Sequence, residues 1–309
     1  MKSDSSKKMN KNNPPKKMNG ALALIHSLLA EGVDTIFGYP GGAIMPIYNE
    51  LMNYEDQLNH ILVRHEQGGA HAAQAYSMVT GKTGVCLATS GPGATNLITG
   101  IANANLDSVP VVFITAQVFS QLIGTDAFQE TDILGISMPV TKWNYQVKTA
   151  EELPEVMAKA FYIASTGRPG PVLIDITKDA QLQEVDYKYE KCTNIRSYNP
   201  KVPLNHSDLE SAAILINNSR KPLILAGHGI LLSRAEKELL SFTEKTGIPV
   251  SATMLGLSAF PSNNPLFVGL LGMHGNYAPN VKTNEADLII AIGMRFDDRV
   301  TGDLKRYAK

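Results

Sequence analysis

Short apolar runs alternate along the chain with longer stretches in which apolar and polar residues recur at helical spacing. Residues 20–31 read as a helix that stops at Gly32, because glycine readily takes the left-handed capping conformation. The run 33–39 then reads as a strand, 43–53 as a helix, 60–64 as a strand and 67–80 as a helix. The pattern continues with strands at 83–89 and 110–116, a helix at 150–165 and an apolar strand at 170–176. Strands separated by helices imply mainly parallel sheets covered on both faces, because parallel neighbours need crossover connections. After Asp179 the chain turns polar and ends in prolines, which suits a linker over 181–205. A second alternation follows: helices at 207–218 and 234–246, a strand and loop at 222–230, and strands at 248–253 and 286–293. The expected architecture is therefore two α/β domains, 19–180 and 206–309, behind a basic tail at 1–18.

Composition narrows the classes. With 44% hydrophobic and 18% charged residues, the chain resembles ordinary globular proteins. A net charge of −1 supplies no electrostatic footprint for nucleic acid. Cys86 and Cys192 make no disulfide framework and lack metal-ligand spacing, which favours a reducing, cytoplasmic setting. Six lysines in the first seventeen residues, with one aspartate and Pro14-Pro15, predict a disordered tail. His26 and Ser27 interrupt the apolar run behind it, against a signal peptide, and no run reaches the length of a membrane span.

Candidate chemistry sits where strands pass into helices. In "RHEQGGAH" a carboxylate, Glu66, follows a run that reads as a core strand, Ile61-Leu62-Val63. A zinc-protease helix is excluded by spacing, because the position four beyond His65 is Gly69. Glu66 either pairs with Arg64, two along the strand, or exchanges protons with a ligand at the C-terminal edge of a parallel sheet. "SGPGATN" (90–96) and "GYPGGA" (38–43) are tight turns or places where a ligand approaches the backbone. The first lacks the lysine of a P-loop, and "GHGI" is a weak dinucleotide signal with Leu232 in the third glycine position. In "IGMRFDDRVTG", Arg295 and Arg299 bracket Asp297 and Asp298, giving either a salt-bridge cluster or a carboxylate- or phosphate-binding turn.

Together, "FGYPGGAI", "RHEQG", "ATSGPGATN", "IGTDAFQETD", "GRPGPVLIDITKD", "LGMHG" and "RFDDRVTG" closely resemble the acetolactate synthase (acetohydroxyacid synthase) large catalytic subunits. These belong to the thiamine-diphosphate enzymes, and the likeness runs from about Gly20 to the last residue. It implies a pyrimidine-binding domain followed by an incomplete FAD-binding central domain. It also implies decarboxylation of pyruvate and condensation of the hydroxyethyl group with a second pyruvate or with 2-oxobutyrate, in branched-chain amino acid biosynthesis.

By that resemblance Glu66 hydrogen-bonds the cofactor's aminopyrimidine, with Gly41, Gly42 and Ala43 nearby. Phe128, Gln129 and Lys178 line the channel to the reacting carbon. Arg299 meets the carboxylate of the second 2-oxo acid, beside Met273. FAD, structural in a reaction without net redox, is implied to touch Arg168, Gly227, His228, Gly229, Thr253, Met254 and Leu255. The same holds for Gly272, Met273, His274, Gly293, Met294 and Arg295. A homodimer or tetramer with a small regulatory subunit is implied as well. The family's third domain holds magnesium and the diphosphate through a GDG motif; no GDG occurs here, so no metal ligand is assigned and the second domain is expected to be truncated. Phe119 stands where relatives usually have proline, and "AQAYSM" replaces the more usual "ADGYAR". Alternatives left open are another thiamine-diphosphate lyase or oxidase, of the glyoxylate carboligase or pyruvate oxidase type, and an inactive FAD-binding or subunit-interaction remnant.

Overall fold

The computed structural model describes residues 16–308. The chain divides into two compact units, one ending at Val202 and the other beginning at Pro203. The first contains β1 (Lys17–Asn19), β2 (Thr35–Gly38), β3 (Asn59–Leu62) and β4 (Gly84–Ala88), then β5 (Val111–Gln117), β6 (Trp143–Val147), β7 (Pro171–Thr177) and β8 (Glu184–Asp186). The second contains β9 (Pro222–Ala226), β10 (Val250–Ala252), β11 (Phe267–Leu270) and β12 (Leu288–Ile292).

In the first unit six strands form one parallel sheet in the order β3-β2-β4-β5-β7-β6. β4, β5 and β7 are buried at every position, as expected of strands covered on both faces. Val85, Leu87, Val112, Ile114, Val172 and Ile174 point to one face and pack with helices Gly20–Ala30, Met45–Leu51 and Leu153–Ser165. Cys86, Ala88, Val111, Phe113 and Leu173 point to the other, against helices Glu66–Thr80 and Ile98–Asp107. The Gly20–Ala30 helix starts where Asn19 Oδ1 accepts the Leu22 amide at 2.8 Å. It is buried continuously from Gly20 to Leu28, and Gly32 beyond it has φ 79°.

Two expectations about this unit change. The run at 60–64 is an edge strand and not a core strand: among the described residues β3 pairs only with β2, leaving Leu62 63% exposed. β6 was not expected, because "WNYQV" has no apolar run, yet it completes the opposite edge. Of the basic tail, residues 1–15 lie outside the described residues, while Lys17 and Met18 belong to β1, antiparallel to β8. Within 181–205, β8 and the Tyr198 hydroxyl, which donates to the Thr166 carbonyl at 2.8 Å, fasten the polar segment to the first unit.

The second unit is a parallel sheet in the order β11-β10-β9-β12. Ile224, Ala226, Ile230, Leu239 and Val250 form one buried cluster, and Leu223, Leu225 and Leu271 another. Burial is thinner here. β12 is only partly covered, although its apolar sequence suggested a buried strand, because among the described residues it pairs with β9 alone. The His206–Asn218 helix has no buried residue. No helix among the described residues is long and apolar enough to cross a membrane.

Candidate active site

In the first sheet β2 lies between β3 and β4, so the chain leaves it toward one side and resumes on the other. The crevice at such a switch point, beyond the carboxyl ends of the strands, is where open α/β sheets bind ligands. The candidate segments follow these ends: 41–43 after β2, Glu66 after β3, 90–96 after β4, Phe128 and Gln129 after β5, and Lys178 after β7.

Glu66 opens the Glu66–Thr80 helix and is 8% exposed. The pairing with Arg64 does not occur: Arg64 is exposed, and no ion pair joins the two. β3 has already ended at Leu62, so the alternation of a strand no longer places them on one side. Instead Asn96 Nδ2 donates to Glu66 Oε2 at 2.9 Å. Oε1 accepts no hydrogen bond among the described residues and faces the turn at Gly93, where an added Cβ would stand 3.2 Å from it. Burial, reinforced by the charge of Glu66, raises the Cys86 thiol, and burial likewise raises the Tyr48 phenol, so both neighbours remain neutral near pH 7.

The other parts are held by buried polar side chains. Thr89 Oγ1 accepts the Ala43 amide at 3.3 Å, and Gln181 Nε2 donates to the Ala43 carbonyl at 3.1 Å. Lys178 Nζ donates to the Gly42 carbonyl at 3.2 Å and lies 5.9 Å from the centre of the Phe119 ring, so the unusual phenylalanine packs against the lysine. Gly91 has φ 56°, and a Cβ there would meet the Gln129 carbonyl oxygen at 2.6 Å. Only glycine lets the loop carrying Phe128 and Gln129 rest on this turn. Phe128 is 87% exposed at the crown of that loop. Arg168 is elsewhere: it precedes β7, at the opposite end of the sheet, with Nε on Ser108 Oγ at 2.7 Å.

The second sheet repeats the placement. Gly227–Gly229 follow β9, Thr253–Leu255 follow β10, Gly272–His274 follow β11 and Gly293–Arg295 follow β12, all at carboxyl ends. The β9 and β12 turns are in backbone contact: Gly229 N donates to Gly293 O at 2.8 Å, and a Cβ on Gly227 would stand 2.4 Å from that oxygen. Met273 N donates to Arg299 O at 2.7 Å, and Arg299 Nη1 lies 3.5 Å from Met273 Sδ, so these two expected substrate residues are neighbours. The expected salt-bridge cluster is loose and wet, with Arg299–Asp298 at 3.8 Å and Arg295–Asp297 at 3.9 Å. Asp297 also caps the Asp298–Thr301 turn, accepting the amides of Arg299 and Val300. Among the described residues no group of three or more His, Cys, Asp or Glu is placed to hold a metal ion.

Sequence reasoning missed Asn96, Thr89 and Gln181 as supports of the site. Asn96 closes the glycine motif and was readable from it, whereas Thr89 and Gln181 leave no local signal.

Comparison with known proteins bears on these two edges. Residues 18–136 match the thiamine pyrophosphate enzyme N-terminal TPP binding domain, and residues 209–309 match the thiamine pyrophosphate enzyme central domain. The chain belongs to the thiamine pyrophosphate enzymes. It is 50% identical over 294 residues to the acetolactate synthase large subunit of Corynebacterium glutamicum, covering 95% of this chain and 47% of that protein. It is 50% identical over 291 residues to the acetolactate synthase isozyme 2 large subunit of Escherichia coli, covering 94% of this chain and 52% of that protein. A probable acetolactate synthase large subunit of Methanocaldococcus jannaschii is 51% identical, over 94% of this chain and 49% of its own length. The chain thus spans about half the length of the curated relatives it matches.

Proposed function

We propose that this chain supplies the pyrimidine-activating part of an acetolactate synthase catalytic subunit. In this reading the complete protein decarboxylates pyruvate and joins the two-carbon unit to a second pyruvate or to 2-oxobutyrate. The observation that carries the proposal is the buried Glu66 carboxylate, with one oxygen anchored by Asn96 and the other without a hydrogen-bond partner at the sheet's switch point. Such a group fits the aminopyrimidine of thiamine diphosphate, because its Oε1 can hold or release a proton at a ring nitrogen without swinging away. Bound thiamine diphosphate supplies the electron sink for the charge left when a 2-oxo acid loses carbon dioxide.

The remaining roles belong to this chain's own groups. Gly41, Gly42 and Ala43 offer a backbone edge beside Glu66, kept in place by Thr89, Lys178 and Gln181. Lys178, Phe128 and Gln129 border the substrate path, with the lysine orienting carboxylate or carbonyl oxygens. Arg299 binds the carboxylate of the second 2-oxo acid by its planar fork, and Met273 packs along it. The turns after β9, β10, β11 and β12 are assigned to FAD. Exposed Met254 and Met273 and the open carboxyl edge fit an extended ligand, while the bonded Gly229–Gly293 pair makes a rigid floor. We assign no magnesium ligand to this chain. Assembly as a homodimer or tetramer with a small regulatory subunit, in the cytoplasm, completes the proposal.

The test is Glu66→Gln in the complete protein, with products assayed from pyruvate alone and with 2-oxobutyrate. The wild type is expected to form 2-acetolactate and 2-aceto-2-hydroxybutyrate, and the variant to lose about a thousandfold in turnover, within the range of general acid–base contributions. Wild-type turnover by the variant overturns the role of Glu66, and different products overturn the assigned reaction.

A further inference from the structure

The loop from Val118 to Thr131 carries Phe128 and Gln129, yet it has almost no apolar packing of its own. Its crown is shaped internally: the Glu130 carboxylate accepts the amides of Gly124 and Ala127, and Asp126 and Gln129 both take positive φ. Asp179 accepts the Ser120 amide at 3.1 Å just after the loop departs, and one further side chain ties its two ends to each other. Gln117, the last residue of β5 and 3% exposed, accepts the Val118 amide on Oε1 at 3.0 Å, where the loop departs. Its Nε2 donates to the Thr131 carbonyl at 3.0 Å, where the loop returns. The same Nε2 lies 3.3 Å from Asp175 Oδ2.

Asp175 is wholly buried in β7 and is not used by the proposed chemistry. Thr115 Oγ1 donates to its Oδ1 at 2.7 Å, and Gln146 Nε2 donates to its Oδ2 at 2.9 Å. Thr115 and Gln146 stand directly opposite Asp175 in the registers of β5 and β6 with β7, so the sheet itself fixes all three. An ionised carboxylate only accepts, so it compels the Gln117 amide to turn its NH2 inward. With the NH2 on Asp175 and Thr131, the carbonyl oxygen is left for Val118. A reversed amide would put oxygen against oxygen at Asp175 and again at Thr131.

We propose that Gln117, oriented by the buried Asp175, is a positioning residue that sets the substrate loop and thereby the choice of the second 2-oxo acid. The inference rests on the reading that Phe128 and Gln129 border the substrate path. Gln117 touches neither substrate nor cofactor; it fixes the spacing of the loop's two ends, and the crown follows. A purely structural residue would change how much protein is folded, but not how folded protein divides its product between two acceptors.

The experiment compares wild type and Gln117→Met in the complete protein. Methionine keeps the length of the side chain and removes its three hydrogen bonds. Pyruvate is supplied together with 2-oxobutyrate, and the ratio of 2-aceto-2-hydroxybutyrate to 2-acetolactate is measured. That ratio is independent of the amount of active enzyme and is expected to shift at least fivefold. Amide hydrogen exchange is followed in parallel. Val118 is expected to exchange at least tenfold faster in the variant, while Val112, inside β5, keeps its rate. An unchanged product ratio overturns the proposal, even where total activity falls, and so does an unchanged Val118 rate. If the wild type makes neither product, the reaction assigned above fails, while the exchange experiment still decides whether Gln117 holds the loop.

Discussion

Asp175, in β7 of the first sheet, is wholly buried and accepts three side-chain hydrogen bonds, whereas Asp298, just beyond β12 of the second, has a side chain 80% exposed and meets Arg299 at 3.8 Å. The contrast extends to the elements around them. β4, β5 and β7 are buried throughout, while β12 is half covered and the turn after it stands in water. In the first unit the polar groups near the site are fixed by neighbours that cannot move without disturbing a packed core. In the second, the charged groups keep their solvation and lose little by moving. The first edge holds its polar groups in a fixed geometry, and the second leaves its charged groups in solvent.

Asp175 gives the largest effect by which to break this comparison. Burial pushes its carboxyl up to about 6, against lowering by the hydrogen bonds from Thr115, Gln146 and Gln117; the nearby Asp132 adds to the rise. The folded value lies above the ordinary 3.8, so the stability this group contributes is complete below about pH 4 and is lost as pH rises through about 6. The difference of about two pH units corresponds to about 3 kcal/mol. In urea titrations between pH 4 and 8, Asp175→Asn is expected to remove a loss of about that size relative to wild type. Parallel stability curves for the two proteins would contradict a buried, strained carboxylate.

The next effect belongs to the wet edge. Arg299→Lys keeps the charge but loses the planar fork, so KM for the second 2-oxo acid is expected to rise about tenfold with turnover little changed. A fall in turnover at constant KM would place Arg299 in the first edge's class. The smallest effect is Asp298→Asn. Exposed ion pairs contribute about 0.2–1 kcal/mol, and this one lies at the weak end by distance, so the urea midpoint is expected to stay within measurement error. A loss above about 1 kcal/mol would show that the second edge is more tightly organised than its exposure implies.

Much of this was legible in the chain. The alternation of elements announced two parallel sheets, and the glycine motifs announced turns that follow β2 and β4. The order of the strands was not legible. β3 carries the apolar letters of a core strand, and only its place at the end of the pairing order exposes Leu62. The proposed partnership of Arg64 with Glu66 failed for a related reason: strand alternation was extended past Leu62, where the strand had already ended. β6 and β11 were missed because "WNYQV" and "FVGL" lack a distinctive period within so few residues. Gln117 and Asp175 sit 58 residues apart and meet only through the register of β5 with β7, a relation that no local pattern encodes.

The small antiparallel pair of β1 with β8 also has a consequence. It brings Lys17 opposite Asp186, so the first and last strands described in the first unit close on one another at one seam. A module whose two ends meet can be cut out, transplanted or spliced into a loop of another host without threading its chain through the interior. The step from Val202 to Pro203, beyond that seam, offers a practical place to divide the molecule and ask whether its front part folds unaided.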